Sequence, residues 1–92
     1  VIVKEYGGPE VMLYEDADMP TIGAGDVLVK VEAAGINFID TYQRSGLYPV
    51  PLPVTLGLEA AGTVAEIGAD VTHFNEGDRV AYTSVAGAYA EY

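Results

Sequence analysis

Three prolines at alternate positions, Pro49, Pro51 and Pro53, deny a regular backbone ladder to the middle of this chain, because proline lacks an N–H and locks φ. The segments on either side must therefore fold as separate elements. Residues 26–34 form the clearest strand pattern, with Val27, Val29, Val31 and Ala33 expected on one face and Leu28, Lys30 and Glu32 on the other. Residues 59–67 read as a second long strand, with Gly62 inside it where another backbone or a ligand approaches closely. Shorter strands are expected at 1–5, 11–15, 79–83 and 88–92. Gly7-Gly8-Pro9 and Asn75-Glu76-Gly77-Asp78 mark turns, and residues 17–25 a loop. Only residues 38–45 carry a helix signature, with Asn37 as N-cap and Gly46 as the stop. Many short strands, one or two short helices and no βαβ alternation predict a mainly-β fold, a partly open barrel or sandwich.

Ninety-two residues make one domain at most, and a hydrophobic fraction of one half argues against disorder. No apolar run approaches the roughly 18 residues of a membrane span, and Val1-Ile2-Val3-Lys4 is strand-like rather than a targeting signal. A first residue other than Met and a stop within the expected strand 88–92 point to a piece of a longer chain. Fourteen acidic against four basic residues give a net charge of −10, which repels phosphate backbones and argues against nucleic acid as a partner. The scattered acids read as a solvated face, including the local cluster Glu15, Asp16 and Asp18.

The chemistry is narrowed first by what is missing. A zinc centre needs three converging His, Cys or carboxylate ligands, and this chain has no Cys and a single His, His73, beside a turn. No Gly-x-Gly-x-x-Gly lies between a strand and a helix, and Pro9 breaks the amide row after Gly7-Gly8. A dinucleotide-binding domain is thus expected outside these residues. Polar groups gather instead after the strand 26–34. Asn37 suits two jobs, capping the helix and donating to a ligand. Asp40 stands in the first helical turn, where a carboxylate favours the positive end of the helix dipole. Phe38 and Tyr42 are four apart and share a helix face, so they could simply pack together. Tyr48 lies in a loop, where side chains are often held for binding. Glu59, in an apolar stretch, is either exposed or paired, and structural pairing is expected.

The run Ala34-Gly35-Ile36-Asn37-Phe38-Ile39-Asp40-Thr41-Tyr42 with Gly46-Leu47-Tyr48-Pro49, together with Gly57-Leu58-Glu59-Ala60-Ala61-Gly62, Glu76-Gly77-Asp78-Arg79-Val80 and Gly7-Gly8-Pro9-Glu10-Val11, resembles the zinc-free medium-chain dehydrogenases/reductases. Within them it is similar to the quinone oxidoreductase (zeta-crystallin-like) branch. The resemblance implies that residues 1–92 are the N-terminal GroES-like catalytic domain, a partly open barrel. It further implies reduction of a quinone by hydride transfer from NADPH without zinc, in a cytoplasmic, homodimeric enzyme whose cofactor is held mainly by another domain. By the same resemblance Tyr48, Tyr42 and Asn37 orient and polarise the substrate, while Asn37, Phe38, Asp40 and Tyr42 contact the cofactor. In zinc-dependent relatives a Cys stands at the place of Asn37 and a His at that of Leu58. The glutamate at the place of Glu59 is often tied to an arginine there. Two alternatives stay open: a zinc-free enoyl-thioester or enone reductase, and a non-enzymatic GroES-like binding or assembly module.

Overall fold

The computed structural model describes all of residues 1–92. Two three-stranded antiparallel sheets make up the fold. The first has the order β2–β1–β4, built from Ile2–Val3 (β1), Met12–Leu13 (β2) and Val54–Thr55 (β4). The second has the order β3–β5–β6, built from Val27–Ala34 (β3), Glu59–Ile67 (β5) and Arg79–Thr83 (β6). The helix α1, Phe38–Ser45, bridges from β3 towards the proline segment. The sheets share no strand, so the barrel is partly open, as expected for a mainly-β chain of this kind. No helix is long and apolar enough to cross a membrane.

The expected bounds of α1, β5 and β6 match those observed, while several other elements differ. The first strand is cut to two residues, because β1 pairs only Ile2 and Val3 with either neighbour. In place of a strand over 11–15, Pro9–Val11 forms a 3₁₀ turn before β2. The Val11 N–H closes it on the Gly8 carbonyl at 3.1 Å, and Glu10 accepts from the Gly8 N–H at 3.1 Å. Residues 88–92 form no strand. They run between the two sheets instead, joined by four main-chain bonds: Ala88 N–H to Gly57 C=O, Tyr89 N–H to Leu56 C=O, Val31 N–H to Glu91 C=O, and the Val1 ammonium to Tyr89 C=O. Bonds scattered over three separate partners, residues 56–57, Val31 and Val1, make a tether, not a ladder.

The alternation expected in β3 holds from Val29 to Glu32, where Lys30 and Glu32 are exposed between half-buried valines, and fails at the two ends. Leu28 is the buried residue of that strand, while Val27, Val29 and Val31 are half-buried and Ala33 is exposed. The register with β5 slips between Leu28 and Val29 and again between Val31 and Ala33. The extra residue is Ala65 of β5 at the first slip and Glu32 of β3 at the second, and each bulge changes the facing of the strand that carries it. The buried core is small: Val3, Leu28, Leu56, Ala60, Val64 and Ala88. In β5, Ala60, Gly62 and Val64 alternate inward. A Cβ on Gly62 would collide with the Lys30 carbonyl, so only glycine lets β3 and β5 approach this closely.

Candidate functional site

Helix α1 begins where the β3 backbone leaves the sheet through Gly35, whose N–H bonds the Glu59 carbonyl at 3.1 Å. Asn37 has extended N-cap geometry. The carboxylate three residues on does the capping, with the Asn37 N–H donating to Asp40 Oδ2 at 2.9 Å. The Asn37 side chain completes the capping box from the other side, its oxygen turned to the Asp40 N–H, which leaves its NH2 group for other partners. Gly46 ends the helix in the left-handed region, with φ of 85°, where a side chain would be strained. The loop then folds back, and the Tyr48 N–H bonds the Tyr42 carbonyl at 3.1 Å.

That return sets the aromatic arrangement. Tyr42 and Tyr48 meet edge to face, ring centroids 5.1 Å apart and planes at 62°, a favoured geometry for aromatic pairs. Tyr42 therefore packs on Tyr48 rather than on Phe38, which stands 82 % exposed. Tyr42 is half-buried and Tyr48 exposed, and neither hydroxyl has a hydrogen-bond partner within the chain. Ile36 and Leu47 are exposed around them. Thus the structure brings together Asn37 with Asp40, and Tyr42 with Tyr48, on one short helix–loop unit, with Phe38 standing outward beside Asn37.

Asp40 faces inward and is buried. Its Oδ2 accepts from the Tyr89 hydroxyl at 2.5 Å as well as from Asn37, while Oδ1 has no partner. Tyr89 lies 49 residues away and was not among the residues picked out from the sequence. No local pattern marks it, because its role arises only from the path of the tether 88–92. Its pKa is pushed up to about 12, first by burial, then by the hydrogen bond to Asp40 and the charges of Asp40 and Glu59. Burial alone raises that of Tyr82.

Glu59 does not form the pair expected of it. The one salt bridge joins Lys4 to Glu15 at 2.8 Å, and the Glu59 side chain lies across Gly35, where a Cβ would overlap it. A shallow depression of about 710 Å³ lies here, lined by Ala33, Gly35, Glu59, Ala60 and Tyr82. The larger concavity, about 1150 Å³, is an open groove elsewhere, between Tyr14, Met19, Tyr82, Val85 and Tyr92. It touches none of Asn37, Phe38, Tyr42 or Tyr48, so size alone does not mark the site. No three His, Cys, Asp or Glu side chains converge as metal ligands, and His73 is exposed.

Comparison with known proteins extends this geometry. Residues 23–92 match the alcohol dehydrogenase GroES-like domain. A quinone oxidoreductase of Pseudomonas aeruginosa is 56 % identical over 88 residues, 94 % of this chain and 27 % of that protein. The crystal structure of Pseudomonas syringae pv. Tomato DC3000 quinone oxidoreductase superposes with a TM-score of 0.94 at 51 % identity, over 98 % of this chain and 28 % of that one. Escherichia coli quinone oxidoreductase complexed with NADPH superposes with a TM-score of 0.94 at 46 % identity, over the same shares. The chain thus spans somewhat more than a quarter of the length of the relatives it matches.

Proposed function

Because the chain belongs to the alcohol dehydrogenase GroES-like domain family, we propose that it forms one wall of the active site of an NADPH-dependent quinone oxidoreductase. The nucleotide-binding domain belongs to a further part of the polypeptide. Identities of 46–56 % to quinone oxidoreductases, spread over nearly all of the chain, support the substrate class. An NADPH complex of one of these relatives supports the cofactor.

The Tyr42–Tyr48 pair carries the reading. Two phenols without protein partners and the NH2 group of Asn37 stand on one helix–loop unit, with the exposed apolar side chains of Ile36, Phe38 and Leu47 on the same unit. Apolar surface with a few convergent polar groups suits a flat ligand with carbonyl edges, which describes both the carboxamide-bearing nicotinamide ring and a quinone. The residues fit that end of NADPH and not its phosphates, since no glycine-rich phosphate turn exists in the chain. When bound, NADPH supplies the reducing equivalents.

This chain's own groups orient and polarise. A phenol O–H is a hydrogen-bond donor, and its bond to a quinone oxygen strengthens as negative charge develops there. Tyr48, the more exposed phenol, is assigned that bond. Tyr42 sets the angle of the Tyr48 ring, and Asn37 and Phe38 face the nicotinamide. Asp40, turned inward, serves the cofactor indirectly by holding the Asn37 backbone. The reaction is assigned without zinc, because the donor set offers no Cys and only the exposed His73.

The test is Tyr48→Phe in the full-length enzyme, which keeps the ring and removes one donor. Loss of about 1–2 kcal/mol of transition-state stabilisation is expected, roughly a 5- to 30-fold fall in kcat/KM for the quinone. NADPH affinity and thermal stability should hold. Wild-type kcat/KM together with wild-type NADPH affinity would reduce Tyr48 to a packing residue.

A further inference from the structure

Resting on the donor role of Tyr48 proposed above, we propose that Tyr6 is a positioning residue for it. Tyr6 precedes the 3₁₀ turn and is 44 residues from the loop it holds. Its hydroxyl donates to the Val50 carbonyl at 2.6 Å and accepts from the Val50 N–H at 3.1 Å. One phenol oxygen therefore satisfies both backbone groups of a single loop residue. Its ring lies against Gly46, so close that a Cβ there would clash with the ring carbons. The adjoining Gly7 fastens the helix end of the same loop: its N–H bonds the Arg44 carbonyl at 3.1 Å, and its carbonyl accepts from Arg44 Nε at 3.2 Å. The 46–50 loop is thus pinned before and after Tyr48 by two consecutive residues.

Physical need explains why the pin comes from a side chain. Pro49, Pro51 and Pro53 have no N–H, so the loop cannot be held by a backbone ladder. The Tyr48 N–H is already spent on Tyr42. The Tyr6 hydroxyl substitutes for the missing strand partner at Val50, and with Gly46 capped by the Tyr6 ring it fixes where the Tyr48 ring stands against Tyr42. A donor displaced by about 1 Å loses much of its effect on a transition state, so a residue that never touches substrate governs the rate through the position of one that does.

The experiment uses the full-length enzyme with NADPH and 1,4-benzoquinone, comparing Tyr6→Phe, Tyr48→Phe and the double variant. Tyr6→Phe retains the ring over Gly46, and Tyr14→Phe, at a fully exposed residue, is the control. Tyr6→Phe should lower quinone kcat/KM roughly 3- to 10-fold with NADPH affinity unchanged, and the double variant should be no slower than Tyr48→Phe alone. Where Tyr48→Phe is slowed, wild-type kinetics for Tyr6→Phe, or a double variant that loses the product of the two single effects, would overturn the proposal. A second readout is independent of turnover: the ¹⁹F signal of fluorotyrosine placed at position 48. Tyr6→Phe should shift or broaden it and Tyr14→Phe should not. If Tyr48→Phe proves kinetically silent, the donor role falls while a displaced ¹⁹F signal still upholds the positioning; an unchanged signal sinks it.

Discussion

The β3–β5 pair and the α1–loop unit adjoin through Gly35, yet they are held by opposite means. In the sheet, closeness comes from what is absent: Gly62 has no Cβ to meet the Lys30 carbonyl, and Ala60 and Val64 bury beside it. In the α1–loop unit, large side chains stand in solvent, with Phe38 82 % and Ile36 87 % exposed. There the backbone is fixed by a few polar bonds to distant residues, Tyr89 to Asp40 and Tyr6 to Val50. A sheet packed on backbone contact has one arrangement, whereas a unit held by single side-chain bonds can present polar groups outward and still be ordered. The second condition is what a binding surface requires.

Substitutions at three positions can break or sharpen that contrast, all in the full-length protein. Gly62→Ala forces a methyl group against a carbonyl that cannot swing aside, so a loss of about 3 kcal/mol is expected by urea denaturation. A loss below about 1 kcal/mol would show that β3 and β5 can part, and the sheet would then be as adaptable as the loop. Asp40→Ala strips the acceptor from both the Asn37 N–H and the Tyr89 hydroxyl, and should cost about 2 kcal/mol. Asp40→Asn keeps one acceptor and should lose less. Equal stabilities for the two variants would mean that the polar bonds do not hold the unit.

The smallest effect is one of pH. The Tyr89 pKa is raised to about 12 from an ordinary value of 10.0, so the unfolded chain gives up this proton first as pH rises. Folded-state stability from this group is therefore complete below about pH 10 and falls as pH climbs towards about 12. Tyr82 adds in the same direction. Tyr89→Phe should flatten the fall in melting temperature between about pH 10 and 12, relative to the wild type, while leaving the part due to Tyr82. Superimposable profiles would show that Tyr89 is not buried against Asp40.

The division between what was legible in the sequence and what was not follows the same contrast. Signals that act over a few residues read correctly: Asn37 and Gly46 bounding α1, the ends of β5 and β6, the close approach at Gly62, and a mainly-β partly open barrel. The run from Asn37 to Tyr48 was legible as a polar cluster, since its members are neighbours in the chain. Hidden from the sequence were the burial of Leu28, the bulges between β3 and β5, the tether path of residues 88–92, and the Tyr42 partner, which is Tyr48 and not Phe38. Tyr89 and Tyr6 were invisible as supports for α1 and its loop. Capping and periodicity are local physics, written into adjacent residues. A bulge or a bond between residues 44 or 49 apart depends on how two sheets and a loop come to lie against one another, and only the packed chain decides that.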